Sequence, residues 1–149
     1  MDKYKVAIVD DDEVALENLS FELGKDARFS LKGTARNGKQ GKKLIAKVQP
    51  DLLFLDVEMP DMTGMELLQE IRGSVSWNMR IVFYTAYDKY MVQAIREAAF
   101  DYLLKPFEEQ EFAGYSCAFC RAGRGWAENV ISHWCTVAYR TDIYRIYAN

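Results

Sequence analysis

The apolar positions of this chain form short unbroken runs separated by longer stretches of helical period. The runs are Val6-Ala7-Ile8-Val9, Leu52-Leu53-Phe54-Leu55, Ile81-Val82-Phe83-Tyr84 and Tyr102-Leu103-Leu104. A strand this apolar is buried on both faces, as in a parallel sheet covered by helices. The runs predict strands over about 5–9, 51–56, 80–85 and 101–105. A further strand over about 29–34 alternates Phe29, Leu31 and Gly33 with Ser30, Lys32 and Thr34, the pattern of an edge strand. The intervening segments carry apolar residues at i, i+3, i+4 spacing. They predict helices over about 12–23 (Leu16, Leu19, Leu23, with Gly24 as a stop), 38–48 (Leu44, Ile45, Val48), 63–72 (Leu67, Leu68, Ile71) and 88–98 (Met91, Ala94, Ile95, Ala98). A fifth helix over Glu108–Ala122 would present Phe112, Tyr115 and Phe119, weakened by roughly 1 kcal/mol at Gly114.

Alternating strands and helices with short connections give an α/β fold with a parallel sheet and right-handed crossovers. In such a sheet the strand C-termini share one edge, where open α/β folds place their ligands. The residues just past the strand ends are therefore brought together. The first strand ends in Asp10-Asp11-Asp12-Glu13, the third in Asp56, the fourth in Thr85-Ala86 and the fifth in Lys105-Pro106. Clustered carboxylates repel and raise one another's pKa. A hard divalent cation offsets that cost, and Mg²⁺ suits an open site of a few carboxylates and waters. Acids with Mg²⁺, a hydroxyl and an ammonium make a phosphoryl site, with Asp56 as the candidate nucleophile. Plainer roles exist for each residue. Asp10 or Asp11 could cap the first helix, although Asp12 is better placed for that. Thr85 could be a β-branched strand residue, Lys105 a surface lysine and Tyr102 a half-buried strand tyrosine. Convergence of four strand ends on one edge favours the phosphoryl site.

Four segments together carry a family resemblance: IVDDDE, LLFLDVEMPDMTGMELL, VFYTAY and DYLLKPF. In order and spacing, across about residues 3–112, the chain resembles the CheY-like receiver domain of two-component response regulators. DVEMPDMTGMELL with TAYDKYMVQAI is most similar to receivers of LytTR-type transcriptional regulators. The resemblance implies a doubly wound, flavodoxin-like, five-stranded sheet of order 2-1-3-4-5. It implies that Asp56 accepts a phosphoryl group from a sensor histidine kinase or phosphotransfer protein. Asp11 would ligate Mg²⁺ directly, Asp10 largely through water, Asp56 directly and Glu58 through its backbone carbonyl. Thr85, the Ala86 backbone amide and Lys105 would bind the phosphoryl oxygens. Tyr102 would be the aromatic switch, and a cis peptide before Pro106 would aim Lys105 inward. The fourth helix, fifth strand and fifth helix would form the switching surface and a homodimer interface.

The 149 residues suit one domain, half of them are hydrophobic, and the net charge is −3. That charge argues against direct nucleic-acid binding. The absence of a long apolar run and the start Met-Asp-Lys-Tyr-Lys imply a cytoplasmic protein without a membrane span. Residues 1–122 read as the receiver, and 123–149 as an atypical tail. Three readings of that tail stay open: a natural extension with a short hairpin, an unrelated appended sequence, or an out-of-frame read through a longer gene. Its enrichment in Cys, Trp, His and Tyr favours the last two. Cys117, Cys120, His133 and Cys135 do not match a common zinc-finger spacing. With no output domain evident, the effect would pass through a partner or a fused region. Two rival functions remain to be weighed. A non-phosphorylated interaction module is disfavoured by the intact Asp11, Asp56, Thr85 and Lys105. Among enzymes, a flavodoxin-like FMN protein would need a Ser/Thr/Gly-rich phosphate loop after the first strand, where the acidic Asp10-Asp11-Asp12 stands. A haloacid-dehalogenase-type phosphatase would place its Asp nucleophile after the first strand, with a second Asp where Glu58 follows Asp56.

Overall fold

The structure, a computed structural model, describes residues 3–90 and 101–105. Within them the elements run β1 (Tyr4–Val9), α1 (Glu13–Gly24), β2 (Phe29–Ala35), α2 (Gly38–Val48), β3 (Leu52–Leu55), α3 (Gly64–Ile71), β4 (Arg80–Thr85), a 3-10 turn (Asp88–Tyr90) and β5 (Asp101–Leu104). The strands pair in the order β2-β1-β3-β4-β5, all in parallel. This is the expected α/β topology, with β2 at the edge. The helices predicted over 88–98 (beyond the 3-10 turn) and from Glu108, the Pro106 peptide and the tail lie outside the described residues.

Strand alternation divides the core into two layers. Ala7, Val9, Leu53, Leu55 and Phe83 face one side, where α2 and α3 contribute Ile45, Met65, Leu67, Leu68 and Ile71. Val6, Ile8, Leu52, Phe54, Val82 and Tyr84 face the other, where α1 contributes Ala15, Leu19 and Leu23. β3 is buried along its whole length, as its unbroken apolar run requires. On α1 two of the three predicted stripe residues, Leu19 and Leu23, are buried, and Ala15 joins them. Leu16 lies at the margin of the core.

Helix starts are fixed by local chemistry. Asp12 caps α1 by accepting from the Val14 N–H, and Asn37 caps α2 by accepting from Gln40. Thr63 and Glu66 form a reciprocal capping box at the start of α3. A second carboxylate reaches α2 from the loop after β3. Asp61 accepts the Gly38 and Lys39 N–H groups at 2.8 and 3.0 Å, and these bonds hold its pKa below the ordinary carboxylate value. The loop following Asp56 is thus tied to the start of α2. It is also closed on itself by Gly64 N–H donating to Val57 O at 2.7 Å and by a Glu58–Thr63 backbone bridge.

Gly64 is where the loop comes nearest the strand. A Cβ there would stand 2.4 Å from the Asp56 carbonyl oxygen, a backbone atom that cannot move aside cheaply. Gly64→Ala should therefore destabilise the domain by about 2–3 kcal/mol, as overpacking does. Gly24→Ala, with nothing within 4 Å of the added carbon, should be neutral or slightly stabilising. Urea denaturation of both variants checks the pair, and equal midpoints would contradict this assignment.

Candidate phosphoryl site

Three charged residues of the site lie one position beyond a strand, yet their backbones keep a ladder hydrogen bond. Asp10 N–H donates to Ala35 O at 2.9 Å, Asp56 N–H to Val9 O at 2.9 Å, and Lys105 N–H to Thr85 O at 2.8 Å. The sheet therefore fixes where each side chain begins. Asp10 and Asp56 are buried, with 1% and 6% of their surface exposed, and Asp11 is exposed. Oxygens of Asp10, Asp11 and Asp56 lie within 4.8 Å of one another, a cluster that could hold a metal ion.

Lys105 reaches into this cluster. Its Nζ lies 3.0 Å from Asp10 Oδ1, 2.9 Å from Asp10 Oδ2, 3.2 Å from Asp56 Oδ2 and 3.8 Å from Asp12 Oδ2. Asp10 Oδ1 also accepts the Asp12 N–H at 2.9 Å, and Asp56 Oδ1 accepts the Glu58 N–H at 3.3 Å. Asp10 Oδ2 is different. It lies 2.9 Å from the ammonium as an ion pair, and among the described residues it accepts no hydrogen bond. A hard oxygen donor in that condition, beside two further carboxylates, fits a divalent cation.

Burial pushes the Asp56 carboxyl up to about 7, with the neighbouring Asp10 charge adding to the rise and Lys105 opposing it. Burial also raises Asp10, against the Asp12 N–H bond and Lys105. For Lys105, burial works to lower the pKa. The hydrogen bond and charge of Asp10, joined by Asp56, outweigh that and hold it above its ordinary value.

The remaining predicted residues take up defined places. Thr85 ends β4 fully buried, and its Oγ1 accepts a long 3.4 Å bond from the Tyr87 N–H. Above the carboxylates opens a cleft of about 380 Å³, lined by Asp11, Asp56, Glu58, Met59, Pro60, Ala86, Tyr87 and Lys105. Tyr102 lies in β5 opposite Phe83. The structure thus brings Asp10, Asp11, Asp56, Glu58, Ala86 and Lys105 to one place, with Thr85 at the strand end beside it. Sequence reasoning missed Lys89 and Tyr90, both of which contact Glu58. Their only signal was a Tyr-x-x-Tyr spacing just after Thr85.

A family model described as the response regulator receiver domain matches residues 6–115. The chain is 42% identical over 107 residues to the transcriptional regulatory protein BtsR of Escherichia coli, covering 70% of this chain and 43% of that protein. An uncharacterized response regulatory protein of Vibrio cholerae is 39% identical over 106 residues, covering 71% and 44%. The match spans less than half the length of these curated relatives. Among solved structures, the response regulatory domain of mrkE from Klebsiella pneumoniae superposes with a TM-score of 0.73 at 30% identity, over 79% of this chain and 96% of that one.

The raised Asp56 pKa has a stability consequence with a definite sign. Between the ordinary value of 3.8 and about 7, the folded state holds more protons than the unfolded state. Stability from this group is therefore complete below pH 3.8 and is lost as pH rises through 7. Asp10 works in the same direction. Metal-free protein should lose stability on going from about pH 5 to about pH 8, and Asp56→Asn should be more stable than the parent at the upper end by on the order of 1–3 kcal/mol. Urea melts across that range test this. A less stable Asp56→Asn at every pH would contradict it.

Proposed function

This chain belongs to the response regulator receiver domain family, and on that premise we propose that it is a signalling switch set by phosphorylation of Asp56. The observation that supports this most is the place of Asp56: a buried carboxylate at the end of β3, 3.2 Å from the Lys105 ammonium and open to a cleft that admits a ligand. Receivers interact with histidine kinases, and a phosphohistidine of such a kinase, or of a phosphotransfer protein, is the donor.

In this reading an Asp56 oxygen attacks the phosphorus of the phosphohistidine. The P–N bond breaks, its electron pair returns to the imidazole, and the imidazole recovers a proton from solvent. Lys105 already bridges Asp10 and Asp56, so its ammonium is poised to follow the added charge onto the phosphoryl oxygens. Thr85 gives up only a 3.4 Å bond when its hydroxyl turns toward the new phosphate. The Ala86 backbone amide, at the cleft wall, supplies a further donor. Asp11, Asp10, Asp56 and the Glu58 carbonyl would hold Mg²⁺, which when bound neutralises the clustered acids and the charge on the transferring group. The domain assists its own phosphorylation and dephosphorylation and turns over no separate substrate.

Tyr102 is the aromatic that follows Thr85 in this scheme. Its place in β5 beside β4 supports that role. The motif DVEMPDMTGMELL supports a receiver of the LytTR-type regulators. Relatives named transcriptional regulatory proteins, which extend well beyond the matched segment, support output through a further segment or partner.

Labelling with acetyl phosphate and Mg²⁺ tests the proposal. The parent should take up one acid-labile phosphoryl group, Asp56→Asn none, and Asp11→Ala should be labelled far more slowly than Asp12→Ala. Labelling that survives Asp56→Asn would overturn the assignment. Equal effects at Asp11 and Asp12 would overturn the assigned metal ligands.

A further inference from the structure

The two walls of the cleft at Asp56 are joined by side-chain contacts. Glu58 belongs to the wall after β3, and Tyr87 to the wall after β4. The Tyr90 hydroxyl donates to Glu58 Oε1, across 32 residues of sequence. Lys89 Nζ lies 3.7 Å from the same oxygen. The Lys89 ammonium also sits over the Tyr87 and Tyr90 rings, 5.1 and 5.0 Å from their centroids. Those two rings meet edge to face at 6.3 Å. One carboxylate, one cation and two aromatic rings thus form a strap from the Glu58 loop to the 3-10 turn.

We propose that Tyr90 is a positioning residue whose hydroxyl fastens this strap, and that the closed strap shields phosphorylated Asp56 from water. The shielding rests on the reading of Asp56 as phosphoacceptor; the strap itself does not. Each part has a physical reason. The Lys89–Glu58 pair alone is exposed, with 62% and 42% of the side chains accessible, and exposed pairs hold loops weakly. The phenol-to-carboxylate bond is charge-assisted and therefore stronger, and Tyr90 is half-buried. The ring contact with Tyr87 carries the restraint to a residue that lines the cleft. Loss of phosphate requires a water oxygen to attack the phosphorus, breaking the bond to the Asp56 oxygen and releasing orthophosphate with the carboxylate restored. The proposal has that water enter the cleft between its Glu58 and Tyr87 walls, which Tyr90 ties together.

Tyr90→Phe removes the hydroxyl and keeps the ring, so Tyr87 retains its edge-to-face partner. Two measurements follow. Backbone hydrogen exchange of unphosphorylated protein should quicken in residues 57–60 and 86–90, and stay unchanged in β1 and β3. Asp56 labelled from acetyl phosphate should then lose its phosphate faster by about threefold or more, as expected for the loss of one charge-assisted bond. Unchanged exchange in both segments would show that Tyr90 fastens nothing. Faster exchange with an unchanged rate of phosphate loss would show that the strap does not shield the site. A parent protein that takes no label would refute the phosphoacceptor reading and the shielding with it, while the exchange result would still decide whether the strap exists.

Discussion

Asp10 and Asp56 are buried side by side, and most of the site's construction answers the cost of holding their charges out of water. Burial disfavours the charged form of each, and the Asp10 charge adds to the rise at Asp56. An exposed pair would escape most of that through solvent, but these side chains are almost wholly covered. The sheet leaves them little room to separate, because each backbone is pinned by a ladder bond just past its strand. A cation must come to them. Lys105 does so from β5, and the oxygens of Asp10, Asp11 and Asp56 form a cluster that could hold a second cation.

The same constraint explains the loops. The carboxylates keep their positions only if the chain after β3 keeps its path. Asp61 on the α2 N-terminus, the close approach of Gly64 to the Asp56 carbonyl and the capping box at Thr63 all hold that path. The opposite wall, after β4, is held by a different kind of contact. There a tyrosine hydroxyl, a lysine and two rings reach across to Glu58. One wall is tied to the start of α2 and to its own helix cap, and the other is tied to Glu58 by side chains.

The sheet was legible because its signal is dense. Four apolar residues in succession at β3 leave little alternative to a doubly covered strand, and four strand ends with charged or hydroxyl residues predict the site directly. The α1 stripe was legible at Leu19 and Leu23, and Ala15 was missed because it is small. Its burial comes from its place against the sheet, whereas Leu16 is larger but stands at the margin. The Tyr90–Glu58 contact was not legible, since it joins two loops whose approach depends on the whole sheet. Asp12 showed its capping role in the sequence. Its 3.8 Å approach to Lys105 depends on β5 and appears only in three dimensions.

Asp10 and Asp56 are held together at a cost of burial that a bound cation would relieve. The most direct measurement is a pH titration of the Asp56 side-chain carboxyl carbon by NMR, without and with Mg²⁺. In metal-free protein the midpoint should fall near 7, well above the ordinary 3.8, and Mg²⁺ should move it down. A midpoint near 3.8 that ignores Mg²⁺ would mean that the acids neither strain against each other nor share a cation, and the account would be wrong.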